Sequence, residues 1–167
     1  VYRTEAGARR LIVKSPMGNP LIRRLRRAMI RREYRVYQRM TEVEGVPACY
    51  GLQNDEDLLL EYVEGKPLRG AQRHLADREQ FFAALRELIL ALHRAGVAHA
   101  DLKRKENILV TPAGRPCLID FGSAVIREAN GGLVNRFIFE QACRVDLNAW
   151  VKLKYQRTAA DIADADR

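Results

Sequence analysis

The stretch HADLKRKENILVTPAGRPCLIDFGSA, residues 99–124, gathers Asp101, Asn107 and Asp120 around two short apolar runs. A lone Asp after a strand is ordinarily a turn or cap residue. Here two such residues and an Asn fall within 20 positions and flank a hairpin pattern. The turn at Pro112-Ala113-Gly114 brings the hairpin ends together, which sets Asn107 near Asp120. An amide oxygen and a carboxylate are hard oxygen donors, suited to Mg²⁺ with phosphate oxygens filling the other positions. Asp101 is then free to orient an attacking hydroxyl. Lys103 is placed to neutralise charge on a phosphoryl group in transfer. This is the division of labour that phosphoryl transfer requires.

Those residues need a frame, and the rest of the chain supplies its pattern. VYRTEAGARRLIVK reads as a hairpin turning at Glu5-Ala6-Gly7, its second strand ending at Lys14. Residues 21–40 have helical periodicity. GVPACYGLQNDEDLLLEYVEG reads as two strands with an Asn54-Asp55 turn, and KPLRG follows as a loop. Asp77 caps a helix over 78–95 that stops at Gly96. NILV and PCLID form the next two strands, Asn130-Gly131-Gly132 is a loop, and helix resumes from about Val145. The last residues, TAADIADADR, are expected to fray. Strands with one helix come first and helices dominate later, so two lobes are expected, joined near Glu64-Gly65.

With the elements in place, the motifs resemble those of the protein-kinase-like superfamily. HADLKRKEN is similar to the catalytic loop and IDFG to the metal-binding D-F-G. LIVK resembles the strand with the ATP-phosphate lysine, which makes it Lys14. LLLEYVEGKPL resembles the strand and hinge between lobes. The resemblance implies Leu60 as gatekeeper, with the backbones of Glu61 and Val63 at the adenine edge. It covers about residues 2–125. It implies an α+β, two-lobed protein-kinase-like fold: a small antiparallel-sheet N-lobe plus one helix over 1–64, and a truncated, mainly helical C-lobe over 65–167. ATP and Mg²⁺ are the implied cofactors.

The first helix offers an independent check. At 100° per residue, Ile22, Leu25, Met29, Ile30, Val36, Tyr37 and Met40 share one broad arc with Glu33, while Arg24, Arg27, Arg31 and Arg35 fall opposite. Arg26 falls near the apolar arc. A single acid on a buried face is costly without a partner, and Lys14 is the natural one. The other reading is a local ion pair between Glu33 and a neighbouring arginine.

Four departures from the protein-kinase pattern stand out. The loop Asn lies six residues after Asp101 instead of five, and Glu106 occupies the expected place. Asn107 is kept as the ligand because the following text still fits, with Glu106 as the alternative. No glycine-rich phosphate loop is seen, and the chain, which lacks a starting Met, is expected to begin on the strand that would follow it. His-Ala-Asp replaces His-Arg-Asp, so control through activation-loop phosphorylation is not expected. No A-P-E-like motif follows DFGSA, and Asp146 in VDLNAW resembles a buried lobe-helix Asp or else is a plain helix cap. Small atypical kinases share this shortened plan, among them RIO and Bud32-like kinases and bacterial lipopolysaccharide core kinases. A serine/threonine protein kinase is the first expectation, a Kdo or heptose kinase the second, and a pseudokinase scaffold the third.

Composition limits the rest. The chain has 167 residues, 47% hydrophobic and 30% charged, as in a globular protein. No run approaches a membrane span. Cys49, Cys117 and Cys143 are widely spaced and read as reduced, buried thiols. His74 and His93 read as surface or helix residues, His99 as a brace for the loop, and Trp150 as core packing. The net charge is +8, of which residues 18–40 carry +7. That arginine-rich helix is expected to face solvent and to suit an anionic membrane surface or acidic partner, without specific nucleic-acid binding. A cytoplasmic location is expected, peripheral at the inner membrane through that helix.

Overall fold

A computed structural model describes residues 2–6 and 9–155. The turn residue Gly7 and the terminal TAADIADADR lie outside the described residues. Strands β1 (Tyr2–Ala6), β2 (Arg9–Lys14), β3 (Cys49–Gln53) and β4 (Asp57–Glu61) form an antiparallel sheet in the order β1-β2-β4-β3. The β3–β4 turn uses left-handed backbone at Asn54 (φ 50°) and Asp55 (φ 60°), a region these short polar residues tolerate well. In β2, Val13 is buried, and Lys14 stands opposite Leu58 of β4.

Helix α1 (Pro20–Arg39) begins at Asn19, whose side chain accepts the Ile22 N–H at 3.0 Å, with Pro20 in its first turn. Its buried residues are Ile30, Glu33, Val36 and Tyr37, followed by Met40 just past its end. The expected apolar arc is therefore only half covered. Ile22, Leu25 and Met29 are exposed, and the buried residues of the helix begin only at Ile30.

Lys66-Pro67, expected to be loop, forms strand β5 (Lys66–Pro67), which pairs with Leu109 and Val110, and Leu68–Ala71 forms the short helix α2. Helix α3 (Arg78–Arg94) is capped by Asp77, which accepts the Gln80 N–H at 2.8 Å, and it ends at Gly96 with φ 75°. Its stripe of Phe81, Phe82, Leu85, Leu88, Ile89 and Leu92 is the centre of the main core. β6 (Val97–Ala98) pairs with β9 (Val125–Ile126), and β7 (Ile108–Val110) with β8 (Pro116–Leu118).

Helix α4 (Gly132–Tyr155) starts well before the expected Val145. Its first turns lack an obvious apolar period: Leu133, Val134, Phe137 and Ile138 are all exposed. Its buried line is Phe139, Ala142, Asp146, Ala149 and Leu153. The architecture is the expected α+β, kinase-like one, with small antiparallel sheets and few helices. Among the described residues no helix is long and apolar enough to cross a membrane.

Candidate active site

Lys14 is the hinge point of the site. Its Nζ lies 2.7 Å from Glu33 Oε1 on α1 and 3.0 Å from Asp120 Oδ1. Glu33 is only 5% exposed, so the alternative of a neighbouring arginine as its partner is set aside. Burial opposes the charge on Lys14. The carboxylates of Glu33 and then Asp120 outweigh it, by charge and hydrogen bond, and hold the ammonium above its ordinary range. Burial likewise works against the Asp120 carboxylate, and Lys14 and the Gly122 N–H reverse this and keep it below the usual range. Removing Lys14 would leave the buried Glu33 carboxylate uncompensated, at a cost of about 3–5 kcal/mol, whereas removing Glu33 leaves Lys14 paired with Asp120.

Asp120 has φ 64°, the left-handed conformation in which Asp is among the better-tolerated side chains. This turn sends the Asp120 side chain to Lys14 and the Phe121 ring inward. Phe121 is fully buried and stacks edge-on to Tyr37 of α1, at 5.3 Å between centroids, and against His99 at 4.8 Å. One aromatic column thus joins the helix that carries Glu33 to the loop that carries Asp101. Two ties that single-sequence reasoning missed reinforce it. Arg32 donates to the carbonyls of Gly122 and Ala124, and Arg39 to that of Arg127. Nothing in the sequence pattern marks a surface arginine as a donor to a distant carbonyl.

On the loop, Asn107 is buried and its Nδ2 donates to the Asp101 carbonyl at 3.0 Å and to Asp101 Oδ2 at 3.2 Å. The extra residue is taken up in a 3₁₀ turn over Lys105–Asn107. That turn directs Glu106 outward, where it pairs with Arg69, while Lys105 reaches Gln72 at 2.7 Å. The Ile119 N–H donates to the Asn107 carbonyl at 3.0 Å, so the two ends of the β7–β8 hairpin do adjoin. Lys103 is exposed and has no bonded partner among the described residues.

The donor set can be tested against a divalent ion. With Nδ2 turned to Asp101, the amide oxygen of Asn107 is left over. Asp120 uses Oδ1 for Lys14, and its side chain is 53% exposed. No group of three or more His, Cys, Asp or Glu side chains comes together among the described residues. The protein therefore offers a few oxygens and leaves the remaining positions to phosphate and water, which is how Mg²⁺ is usually held in phosphoryl-transfer sites. The residues fit. Asn107→Ala is expected to raise the Mg²⁺ requirement of any transfer activity by about tenfold or more, with Glu106→Ala near wild type. A Mg²⁺ titration of both variants that gave the reverse order would assign the ligand to Glu106.

Behind the loop stands Asp146, which is completely buried in the middle of α4 and is no cap. Its Oδ2 accepts the His99 N–H at 2.8 Å and approaches His93 Nε2 at 3.1 Å, and its Oδ1 accepts the Ala100 N–H at 2.8 Å. His99 is buried, with Nε2 3.0 Å from the Ile119 carbonyl. His93, read as a surface or helix residue, lies on α3 and is largely enclosed by its contact with Asp146.

Leu60 is buried at the end of β4. The Glu61 side chain turns back to accept the Ala48 N–H at 3.0 Å, and Val63 is half-buried. A cleft of about 930 Å³ includes Glu61 and Val63, but its other walls are α3, the 41–46 segment and the β7–β8 hairpin around Thr111 and Cys117, and neither Lys14 nor Asp120 lines it. The arginines expected to face solvent do so only in part. Arg23, Arg27 and Arg31 pair with Asp55 and Glu56 at the β3–β4 turn, which leaves Arg24 and Arg35 of the expected set of four. The three cysteines are free. Burial pushes the thiol of Cys117 up to about 12 and that of Cys143 to about 11.

A 3-deoxy-D-manno-octulosonic acid kinase of Xylella fastidiosa is 29% identical over 143 residues, 69% of this chain and 57% of that protein. A 3-deoxy-D-manno-octulosonic acid kinase of Xanthomonas axonopodis pv. citri is 36% identical over 107 residues, 62% of this chain and 40% of that protein. The serine/threonine-protein kinase cds1 of Schizosaccharomyces pombe is 34% identical over 101 residues, 56% of this chain and 22% of that protein. The chain thus spans about a fifth to somewhat over half the length of these relatives. The family model for the RIO domain matches residues 14–141, from the lysine of β2 into α4, and the chain belongs to that protein-kinase-like family.

Proposed function

We propose that the protein is a phosphotransferase that moves the γ-phosphoryl group of ATP to a hydroxyl acceptor. The observation that carries this reading is the Lys14 ammonium, held between buried Glu33 and half-exposed Asp120, on the strand that leads into the site. In this reading Lys14 binds ATP phosphates and Glu33 fixes its position. Asp120 and Asn107 would hold Mg²⁺, which when bound neutralises phosphate charge. Asp101 orients the acceptor hydroxyl and accepts its proton, and its hydrogen bond from Asn107 holds the carboxylate in place. Lys103, exposed and uncommitted, meets the phosphoryl group in transfer. Leu60 closes the back of the nucleotide site, and the backbones of Glu61 and Val63 receive the adenine edge. The lobes divide at residues 1–64 and 65–167.

A serine or threonine of a protein is the first acceptor, in keeping with the serine/threonine kinases among the relatives. A sugar acid is the second, favoured by the 3-deoxy-D-manno-octulosonic acid kinase that matches 69% of the chain. A scaffold without catalysis has less support, since Lys14, Asp101 and Asp120 are all in place. The test uses γ-labelled ATP and full-length protein, offered itself, model proteins and lipopolysaccharide core. Label on an acceptor, lost on chelation of Mg²⁺, is the expected result. ATP that binds without label moving to any of them would overturn the enzyme in favour of the scaffold.

A further inference from the structure

A second concavity is lined in part by Lys105 of the Lys105–Asn107 turn. Its walls are α2, the 3₁₀ turn Gln72–His74, the start of α3 and the last turn of α4, and its volume is about 840 Å³. Arg69, Arg73, Arg78, Lys105 and Lys154 line it, with Glu79 as the one acid among the described residues of its lining. Like charges do not gather in a concavity without cost. Here they are fixed. Arg78 donates to the carbonyls of Leu153 and Lys154 at 3.3 and 2.6 Å. Lys154 pairs with Glu79 at 2.6 Å, Arg69 pairs with Glu106, and Lys105 is held by Gln72. Among the described residues, leaving Arg73 aside and counting Glu106, two acids stand against four cations. An ammonium has three N–H donors and a guanidinium five, so these ties leave donors to spare.

We propose that this pocket binds a compact oxyanion, a phosphate or carboxylate group. On the kinase reading above, on which this clause rests, that group belongs to the acceptor. The volume lies within the range of about 300–1,000 Å³ typical of small-molecule sites, and the cations converge on one concavity instead of lining a long groove. The link to the chemistry is short. Lys105 and Glu106 belong to the same turn as Asn107, and Arg104 Nη1 lies 3.7 Å from Asp101 Oδ2. An anion anchored at Arg69 and Lys105 therefore sits against the loop that carries Asp101. A bound oxyanion also separates positive charges that otherwise face one another.

Trp150, the only tryptophan, reports on the site: its ring lies 5.6 Å from Lys154 Nζ and 6.3 Å from the Tyr155 ring. Its fluorescence is followed in full-length protein without Mg²⁺, at constant ionic strength, while pyrophosphate, citrate or poly-glutamate is added. Saturable change with pyrophosphate and citrate is expected. The double variant Arg69→Gln/Lys105→Gln should weaken binding about tenfold or more, and Lys14→Met, with folding checked by circular dichroism, should leave it unchanged. No saturable change, equal affinity in the double variant, or loss in Lys14→Met would overturn the pocket. Tighter binding of poly-glutamate than of either small anion would replace it with a peptide-binding surface. The acceptor clause is read separately, from the acceptor found by the labelled-ATP assay. The double variant should raise the acceptor KM about tenfold and leave the ATP KM unchanged. An effect on the ATP KM alone would overturn that clause. Absence of all transfer with anion binding intact would sink the kinase reading and leave the pocket standing.

Discussion

Asp120→Asn is expected to abolish Mg²⁺-dependent transfer while leaving the fold nearly intact. The substitution keeps the side-chain shape, and Asn accepts the left-handed backbone at φ 64° as readily as Asp does. Lys14 keeps its 2.7 Å contact with Glu33, so no buried charge is orphaned. What disappears is the negative charge that faces the metal and the phosphates. Loss of one preorganised charge at the reacting group costs about 3–4 kcal/mol of barrier, a hundredfold or more in turnover. Asp101→Ala is expected to lose turnover to a similar degree with ATP affinity retained, because the residue acts on the acceptor and not on the nucleotide. Labelled-ATP turnover and ATP titration, run on both variants beside a thermal melt, give the answer. Full turnover in Asp120→Asn would remove the metal assignment. Loss of ATP affinity alone in Asp101→Ala would remove Asp101 from the chemistry.

Those side chains are legible in the sequence for a physical reason. Chemistry-bearing residues sit at strand ends and turns, where a charge interrupts an apolar run, and ILVTPAGRPCLID displays two such interruptions. Glu33 is visible because it is the one acid on the apolar arc of α1. The same arc also misleads. Periodicity says which residues share a face, but not how far along the helix a partner extends, so Ile22, Leu25 and Met29 look like core and are exposed. Helix α4 hides its beginning for the opposite reason. Apolar residues around its first turns blur the period, and its buried line there is only Phe139 and Ala142. The arginines show a third limit. Charge counts cannot see Asp55 and Glu56, which lie far along the chain and neutralise part of the helix face.

Asp146→Ala is expected to be the most destabilising single change in the protein outside the Lys14–Glu33 pair. The carboxylate has no exposed surface and receives two backbone N–H groups and the His93 ring. One of those N–H groups belongs to Ala100, which holds φ 63°, a conformation that costs a residue with a Cβ about 1 kcal/mol or more. The Asp146 bonds therefore hold a strained residue immediately before Asp101. Their removal leaves the N–H of fully buried His99, the Ala100 N–H and the His93 ring without their acceptor while Ala100 still holds its positive φ, at a total cost of about 3–5 kcal/mol. For a chain of this size that lowers Tm by roughly 6–20 °C. Asp146→Asn is expected to recover only part of the loss, since its amide N–H₂ would confront one of the backbone donors. Ala100→Gly in the Asp146→Ala background should return about 1 kcal/mol, because glycine adopts positive φ without penalty. A helix cap would behave differently, costing about 1 kcal/mol with no response at Ala100. Thermal melts and amide exchange at His99 and Ala100 separate the two cases. Unchanged protection of those amides in Asp146→Ala would mean that the loop is shaped by Phe121 and His99 alone, and that Asp146 serves only the packing of α4 on α3.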